Sequence, residues 1–152
     1  MSDAELFIKD IISRQGTGRE NLLPILQEIT QKKRYLPQES LLALAEEMDL
    51  SAAEIYGVAS FYTLFDFKPQ GKYIIRICKT ITCYMKGKDE IVKAIEDRLK
   101  IKLGGTTQDM KFSFLPVNCI GWCHMGPAML INEKVYTELT PEKAVAAIDE
   151  YL

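Results

Sequence analysis

The chain of 152 residues holds four cysteines, and they fall as two local pairs. One is Cys78-Lys79-Thr80-Ile81-Thr82-Cys83. The other, Cys119-Ile120-Gly121-Trp122-Cys123, runs on into His124-Met125-Gly126-Pro127. Thiolates are soft donors, and a set of four suits either Zn²⁺ or an iron–sulfur cluster. Zinc knuckles commonly leave about two residues between paired cysteines. The wider C-x4-C and C-x3-C spacers suit a two-iron rhomb with one pair on each iron, and zinc stays open as the alternative. The C-x4-C also echoes the opening of plant-type ferredoxin spacing, without the C-x2-C that follows there.

The residues around the thiols favour iron and sulfide. A four-thiolate [2Fe–2S] centre is net negative, more so when reduced, and needs N–H and hydroxyl donors and positive surroundings. Gly121 and Gly126 permit close backbone approach and unusual dihedrals. Thr80 and Thr82 offer hydroxyls, and Lys79, Lys86 and Lys88 bring charge. The helix expected after Cys83 can turn its positive end to the site. His124 is the only histidine. A Rieske iron needs two, so that class is excluded. His124 is expected to be a neighbour of the site or a surface group, although a mixed three-Cys, one-His zinc site stays open. Trp122 has two readings, a water shield or a gap filler.

No rival chemistry competes. There is no P-loop and no Gly-x-Gly-x-x-Gly after a strand. With one histidine, any nucleophile set would have to reuse the same cysteines, and the C-x-x-C of thiol oxidoreductases is missing. A redox centre without a substrate site exchanges electrons with other proteins. The net charge of −2 and the lack of a basic stripe give nothing to suggest nucleic acid as a partner, and none is expected. The start, Met1-Ser2-Asp3-Ala4-Glu5, lacks the pattern of a secretory signal, and no apolar run nears the roughly 18 residues of a membrane span. A cytoplasmic protein is expected, where paired cysteines serve metals or redox chemistry rather than disulfides.

The elements that position these residues can be read in order. Residues 3–66 read as helical. Ile8, Ile11 and Ile12 mark a first helix ending near Gly16-Thr17-Gly18, and Asn21 caps a second, with Pro24 in its first turn and Leu22, Leu26 and Ile29 on one face. Lys32-Lys33-Arg34 suits the solvated C-terminal end of that helix. Pro37 interrupts the pattern, and Leu41, Leu44, Ala45 and Met48 mark a third helix. Ser51-Ala52-Ala53-Glu54 reads as a capping box opening a fourth. Phe61, Tyr62, Phe65 and Phe67 are expected to pack as core, with a protein interface as the alternative. After Lys68-Pro69-Gln70-Gly71, Tyr73–Ile77 reads as a strand running into Cys78, and 87–100 as an amphipathic helix. Lys111–Val117 forms a second strand delivering Cys119, 128–136 a hairpin, and Thr140-Pro141-Glu142 opens a terminal helix. The C-terminal part is thus β-α-β-β-β-α, an α/β layer behind a helical segment.

With these motifs assembled, the sequence resembles the thioredoxin-like [2Fe–2S] subunits of NAD-linked oxidoreductase complexes. That family includes a subunit of respiratory complex I and the small subunits of electron-bifurcating NAD-dependent hydrogenases and formate dehydrogenases. The likeness runs from about Leu22 to Tyr151. Its landmarks are Leu23-Pro24-Ile25-Leu26-Gln27, Tyr35-Leu36-Pro37, Ile55 through Tyr62, both cysteine pairs, Gly126-Pro127-Ala128, and Val135-Tyr136 with Leu139-Thr140-Pro141-Glu142.

The resemblance implies an N-terminal helical bundle over 1–68 and a thioredoxin-like [2Fe–2S] domain over 72–152. It implies one cluster on Cys78, Cys83, Cys119 and Cys123, and no catalytic site on this chain. It also implies a larger partner subunit with FMN, NAD(H) and further clusters, and a further catalytic subunit. Many complex I members carry a small residue where this chain has Trp122, and the chain lacks extensions of some respiratory versions. Both features lean toward a hydrogenase or formate dehydrogenase complex. The competing expectations are a zinc-stabilised adaptor subunit and a free thioredoxin-like ferredoxin.

Overall fold

A computed structural model describes residues 2–152. The chain divides into two compact units, one ending at Pro69 and one running from Gln70 to Leu152.

The first unit is helical: α1 (Asp3–Gln15), α2 (Leu22–Lys33), α3 (Gln38–Met48) and α4 (Ala52–Phe61). Apolar residues at helical spacing bring Ile8, Ile11, Leu22, Ile25, Leu26, Ile29, Leu36, Leu44 and Ile55 into one buried core. A full capping box opens α1, where Ser2 and Glu5 exchange side-chain-to-backbone bonds of 3.0 and 3.2 Å. At Ser51 the hydroxyl accepts from the Glu54 amide at 3.2 Å, whereas the Glu54 carboxylate pairs with Arg19. Asn21 makes no side-chain cap. It ends a 3₁₀ turn, Arg19–Asn21, in helical backbone, so the chain enters α2 without the extended residue that a cap requires. The basic run after α2 is held locally, because Lys32 pairs with Glu28 at 3.0 Å and both Lys32 and Lys33 lie over the Phe7 ring.

The helical reading of 3–66 extends too far. Tyr62 leaves α4 in extended backbone, and beyond it the Asp66 carbonyl accepts from the Leu36 amide at 2.7 Å. The aromatic cluster divides in two. Phe65 and Phe67 pack on the core, while Phe61, 78% exposed, and Tyr62 stay outside as an edge-to-face pair.

The second unit contains β1 (Tyr73–Cys78), α5 (Ile81–Met85), α6 (Lys88–Leu99), β2 (Phe112–Val117), β3 (Met129–Ile131), β4 (Lys134–Tyr136) and α7 (Pro141–Asp149). The sheet order is β2-β1-β3-β4, with β1 parallel to β2 and antiparallel to β3, and β3 antiparallel to β4. Alternation along the strands sends Ile75, Ile77, Phe112, Phe114, Met129 and Ile131 into one core with Ile91 and Ile95 of α6 and Ala144, Ala147 and Ile148 of α7. Gly71 enters β1 so close to the neighbouring strand that a Cβ there would meet the Phe112 backbone at 2.7 Å. Its amide donates to the buried Ser113 hydroxyl at 2.8 Å.

The short helix α5 is an addition to the expected β-α-β-β-β-α order. A separate five-residue helix carries Cys83, and α6 begins only after Gly87. Thr140 caps α7 as expected, its hydroxyl accepting from the Lys143 amide at 3.2 Å. No described helix is long and apolar enough to cross a membrane.

Candidate metal centre

The parallel pairing of β1 with β2 puts their C-terminal ends at one edge of the sheet, and antiparallel β3 starts from that same edge. Cys78 ends β1 opposite Val117, the last residue of β2. The Lys79 amide donates to the Val117 carbonyl at 2.9 Å, and the Cys78 amide to the Ala128 carbonyl at 3.3 Å. The segments carrying all four cysteines therefore leave one edge. Cys83 stands in α5, Cys119 two residues after β2, and Cys123 opens a 3₁₀ turn, Cys123–Met125. Bonds from Glu138 N–H to Met125 O, 2.7 Å, and from Leu139 N–H to Pro127 O, 3.1 Å, tie that turn to the approach to α7.

The pairs differ in setting. Cys78 and Cys83 are each 2% exposed, whereas Cys119 is exposed and Cys123 half-buried. The Cys78 sulfur lies 3.0 Å from the Thr80 hydroxyl. Burial pushes the Cys78 thiol up, but the Thr80 hydroxyl, the Thr80 amide, Cys83 and the Ile120 amide outweigh it and hold the thiol below its ordinary value. The Cys83 thiol is raised, chiefly by burial, with the Ala128 amide favouring its thiolate. Cys119 and Cys123 bring their sulfurs to 3.1 Å, and the Gly121 amide donates to the Cys119 sulfur at 3.4 Å. Cys119 first, then its own desolvation, and then the charges of Cys119, Cys78 and Cys83 raise the Cys123 thiol.

The residues expected around the thiols take distinct parts. Gly121 has φ of +89°, the left-handed backbone that lets its amide face the Cys119 sulfur. Gly126 serves close approach instead, since a Cβ there would stand 3.3 Å from the Cys83 sulfur. The peptide bond between Gly126 and Pro127 is cis. Among the described hydrogen bonds, Thr80 rather than Thr82 supplies the hydroxyl. Lys86 donates to the Cys123 carbonyl at 3.1 Å, while Lys88 pairs with Asp89 at 3.0 Å. His124 is exposed, and its ring stacks on Trp122 with centroids 5.7 Å apart.

This donor set fits a two-iron cluster. The thiols come as two pairs, with N–H and hydroxyl donors turned to the sulfurs and a lysine beside them. That is the environment a negative iron–sulfur centre needs.

Comparisons with known proteins show which family the chain resembles. NADP-reducing hydrogenase subunit HndA of Solidesulfovibrio fructosivorans is 36% identical over 145 residues, 95% of this chain and 82% of that protein. A subunit of the NADH-quinone oxidoreductase of Buchnera aphidicola is 41% identical over 125 residues, 82% of this chain and 77% of that protein. In structure, 91% of the chain superposes on an NAD⁺-reducing [NiFe]-hydrogenase with a TM-score of 0.75. At 24% identity that likeness speaks for the fold, and the chain spans 24% of the length of that hydrogenase chain. The family profile described as thioredoxin-like [2Fe–2S] ferredoxin matches residues 8–152, and the chain belongs to that family.

Proposed function

We propose that this chain is a non-catalytic electron-transfer subunit of an NAD(H)-linked oxidoreductase complex, with one [2Fe–2S] cluster on Cys78, Cys83, Cys119 and Cys123. The observation that carries the reading is the pairing of one buried and one open set of thiols at a single sheet edge. When bound, the cluster supplies one-electron chemistry. The protein does the rest. Cys78 and Cys83 anchor one side within the fold, and Cys119 and Cys123 present the other side to the surface. The amides of Ile120, Gly121 and Ala128 and the hydroxyl of Thr80 offset negative charge at the sulfurs.

The partner is a larger subunit bearing FMN and binding NAD(H), with a further catalytic subunit beyond it. Supporting this, Ile81, Tyr84, Met85 and Trp122 leave large apolar side chains uncovered on the two cysteine-bearing segments, Met85 being 79% exposed. Uncovered apolar side chains beside a redox site suit docking by another protein. Residues 1–68 form the helical domain and 72–152 the cluster domain of this cytoplasmic subunit. Of the complexes in this family, a hydrogenase or formate dehydrogenase fits better than respiratory complex I. Trp122 and the extent of the likeness to HndA support that preference.

Iron, zinc and acid-labile sulfide analysis of anaerobically purified protein tests the assignment, with EPR after dithionite reduction. About two irons and two sulfides per chain, with a reduced-state signal, are expected. One zinc without sulfide would sink it in favour of a structural zinc subunit. Purification of the native complex tests the partner. The expectation is a flavoprotein together with a hydrogenase or formate dehydrogenase subunit, and recovery with quinone-linked membrane subunits would reverse the preference.

A further inference from the structure

We propose that Lys86 is a positioning residue that pins the second cysteine segment to the first and makes the cluster easier to reduce. The inference rests on the cluster assignment above.

Lys86 follows α5, three residues after Cys83. Its side chain leaves the Cys83 helix and passes Gly126, where a Cβ would stand 3.7 Å from the Lys86 Cδ and 3.3 Å from the Cys83 sulfur. It ends on the Cys123 carbonyl, with Nζ to O of 3.1 Å. One side chain thus spans from the helix of the inner pair to the backbone of the outer pair. At the strand ends the segments are already joined by Lys79 N–H to Val117 O and Cys78 N–H to Ala128 O. Farther out, where Cys123 sits in a short turn, Lys86 supplies the tie.

Charge gives the bond a second consequence. Among the described residues, no carboxylate lies within ion-pairing distance of the Lys86 ammonium, whereas Lys88 is paired with Asp89. Lys79 is exposed, with no such anchor to the second segment among the described bonds. Lys86 therefore brings an uncompensated positive charge to a site whose negative charge grows on reduction. Positive charge and donors near an iron–sulfur centre favour its reduced state. A flexible lysine costs side-chain entropy to hold on the surface, and the charge-assisted bond offsets it. Because the residue is exposed, replacing it leaves the core untouched.

The test is a redox titration of the full, cluster-loaded chain, followed by EPR and visible absorbance, for wild type, Lys86→Met, Lys86→Gln and Lys86→Arg. Iron and sulfide are measured in parallel. Lys86→Met is expected to shift the reduction equilibrium toward the oxidised form by about tenfold, about 59 mV for one electron. Lys86→Gln keeps a donor without the charge and is expected to shift the same way. Lys86→Arg restores the charge and is expected to stay within about twofold of wild type. If Lys86→Met loses the cluster, Lys86→Gln carries the measurement. Neutral variants that hold iron and sulfide at an unchanged potential would overturn the role of Lys86 alone. Zinc without sulfide in the wild type would overturn the cluster assignment and this role together.

Discussion

The two cysteine pairs have the same chemistry and opposite surroundings. Cys78 and Cys83 are built into regular structure, the end of a central strand and a short helix, and both are buried. Cys119 and Cys123 hang from an irregular segment shaped by Gly121 and a 3₁₀ turn, and they reach the surface. The inner sulfurs have a hydroxyl and nearby amides, while the outer sulfurs have the Gly121 amide and each other. A site made this way is anchored on one side and accessible on the other. That arrangement suits an electron carrier, whose centre must be held rigidly and yet lie near a partner.

Single substitutions at the thiols give the largest effects and could break this contrast. Cys83→Ser and Cys78→Ser are expected to lower bound iron by about tenfold or more, since an inner ligand lies in packed structure that cannot supply a substitute. Cys119→Ser is expected to keep a substantial share of the cluster with an altered EPR signal, because its open, solvated segment lets oxygen ligation adjust. Equal loss from both pairs, measured as iron and sulfide per chain, would remove the distinction.

The two glycines sharpen it next. Gly126→Ala forces a methyl against the Cys83 sulfur, a misfit worth about 1–3 kcal/mol, and is expected to lower both the melting temperature and iron content. Gly121→Ala meets open space and costs only the positive φ, about 1–2 kcal/mol, so iron content is expected to change less. Thermal denaturation with metal analysis separates the two.

A smaller effect is expected at Thr80. Thr80→Val removes the hydroxyl from the Cys78 sulfur and is expected to shift the cluster toward its oxidised form by a few-fold in redox titration. Thr82→Val serves as the comparison and is expected to change the potential little.

The smallest effect lies away from both pairs, in the helical unit. Lys32 first, then Arg14 and Gln15, hold the Glu28 carboxyl down at about 2 against the opposing effect of its burial. A carboxyl lowered on folding stabilises the native state above its unfolded value, and that contribution fades as pH falls from about 4.5 through about 2. With allowance for screening it amounts to roughly 1–2 kcal/mol. Glu28→Gln is expected to flatten the acid limb of a helix-unfolding titration while leaving the cluster spectrum unchanged.

Most elements were legible because their signals are local. Apolar periodicity marks α6, a proline-bearing capped start marks α7, and β-branched runs mark β1. The helix α5 was not legible. Ile81, Tyr84 and Met85 are exposed, so this short helix shows no buried apolar stripe, and Ile81 and Thr82 are poor helix formers. Asn21 misled because a good cap residue is useful only where the backbone enters the helix extended. At the site, residue type and spacing named the four thiols and the lysines and glycines beside them, but not the part each plays.

The sequence by itself determined which atoms are available for the chemistry, because donor type and pair spacing are properties of the local chain. It also determined the chain's membership of the family, through motifs spread along most of its length. Tertiary structure alone decided which pair is buried, which threonine meets a sulfur, and which lysine crosses between the segments. Those outcomes depend on β1 being central and β2 running parallel beside it, which sets Cys78 opposite Val117 although they stand far apart in the chain. Burial and hydrogen bonding follow from that register, and local sequence carries no record of it.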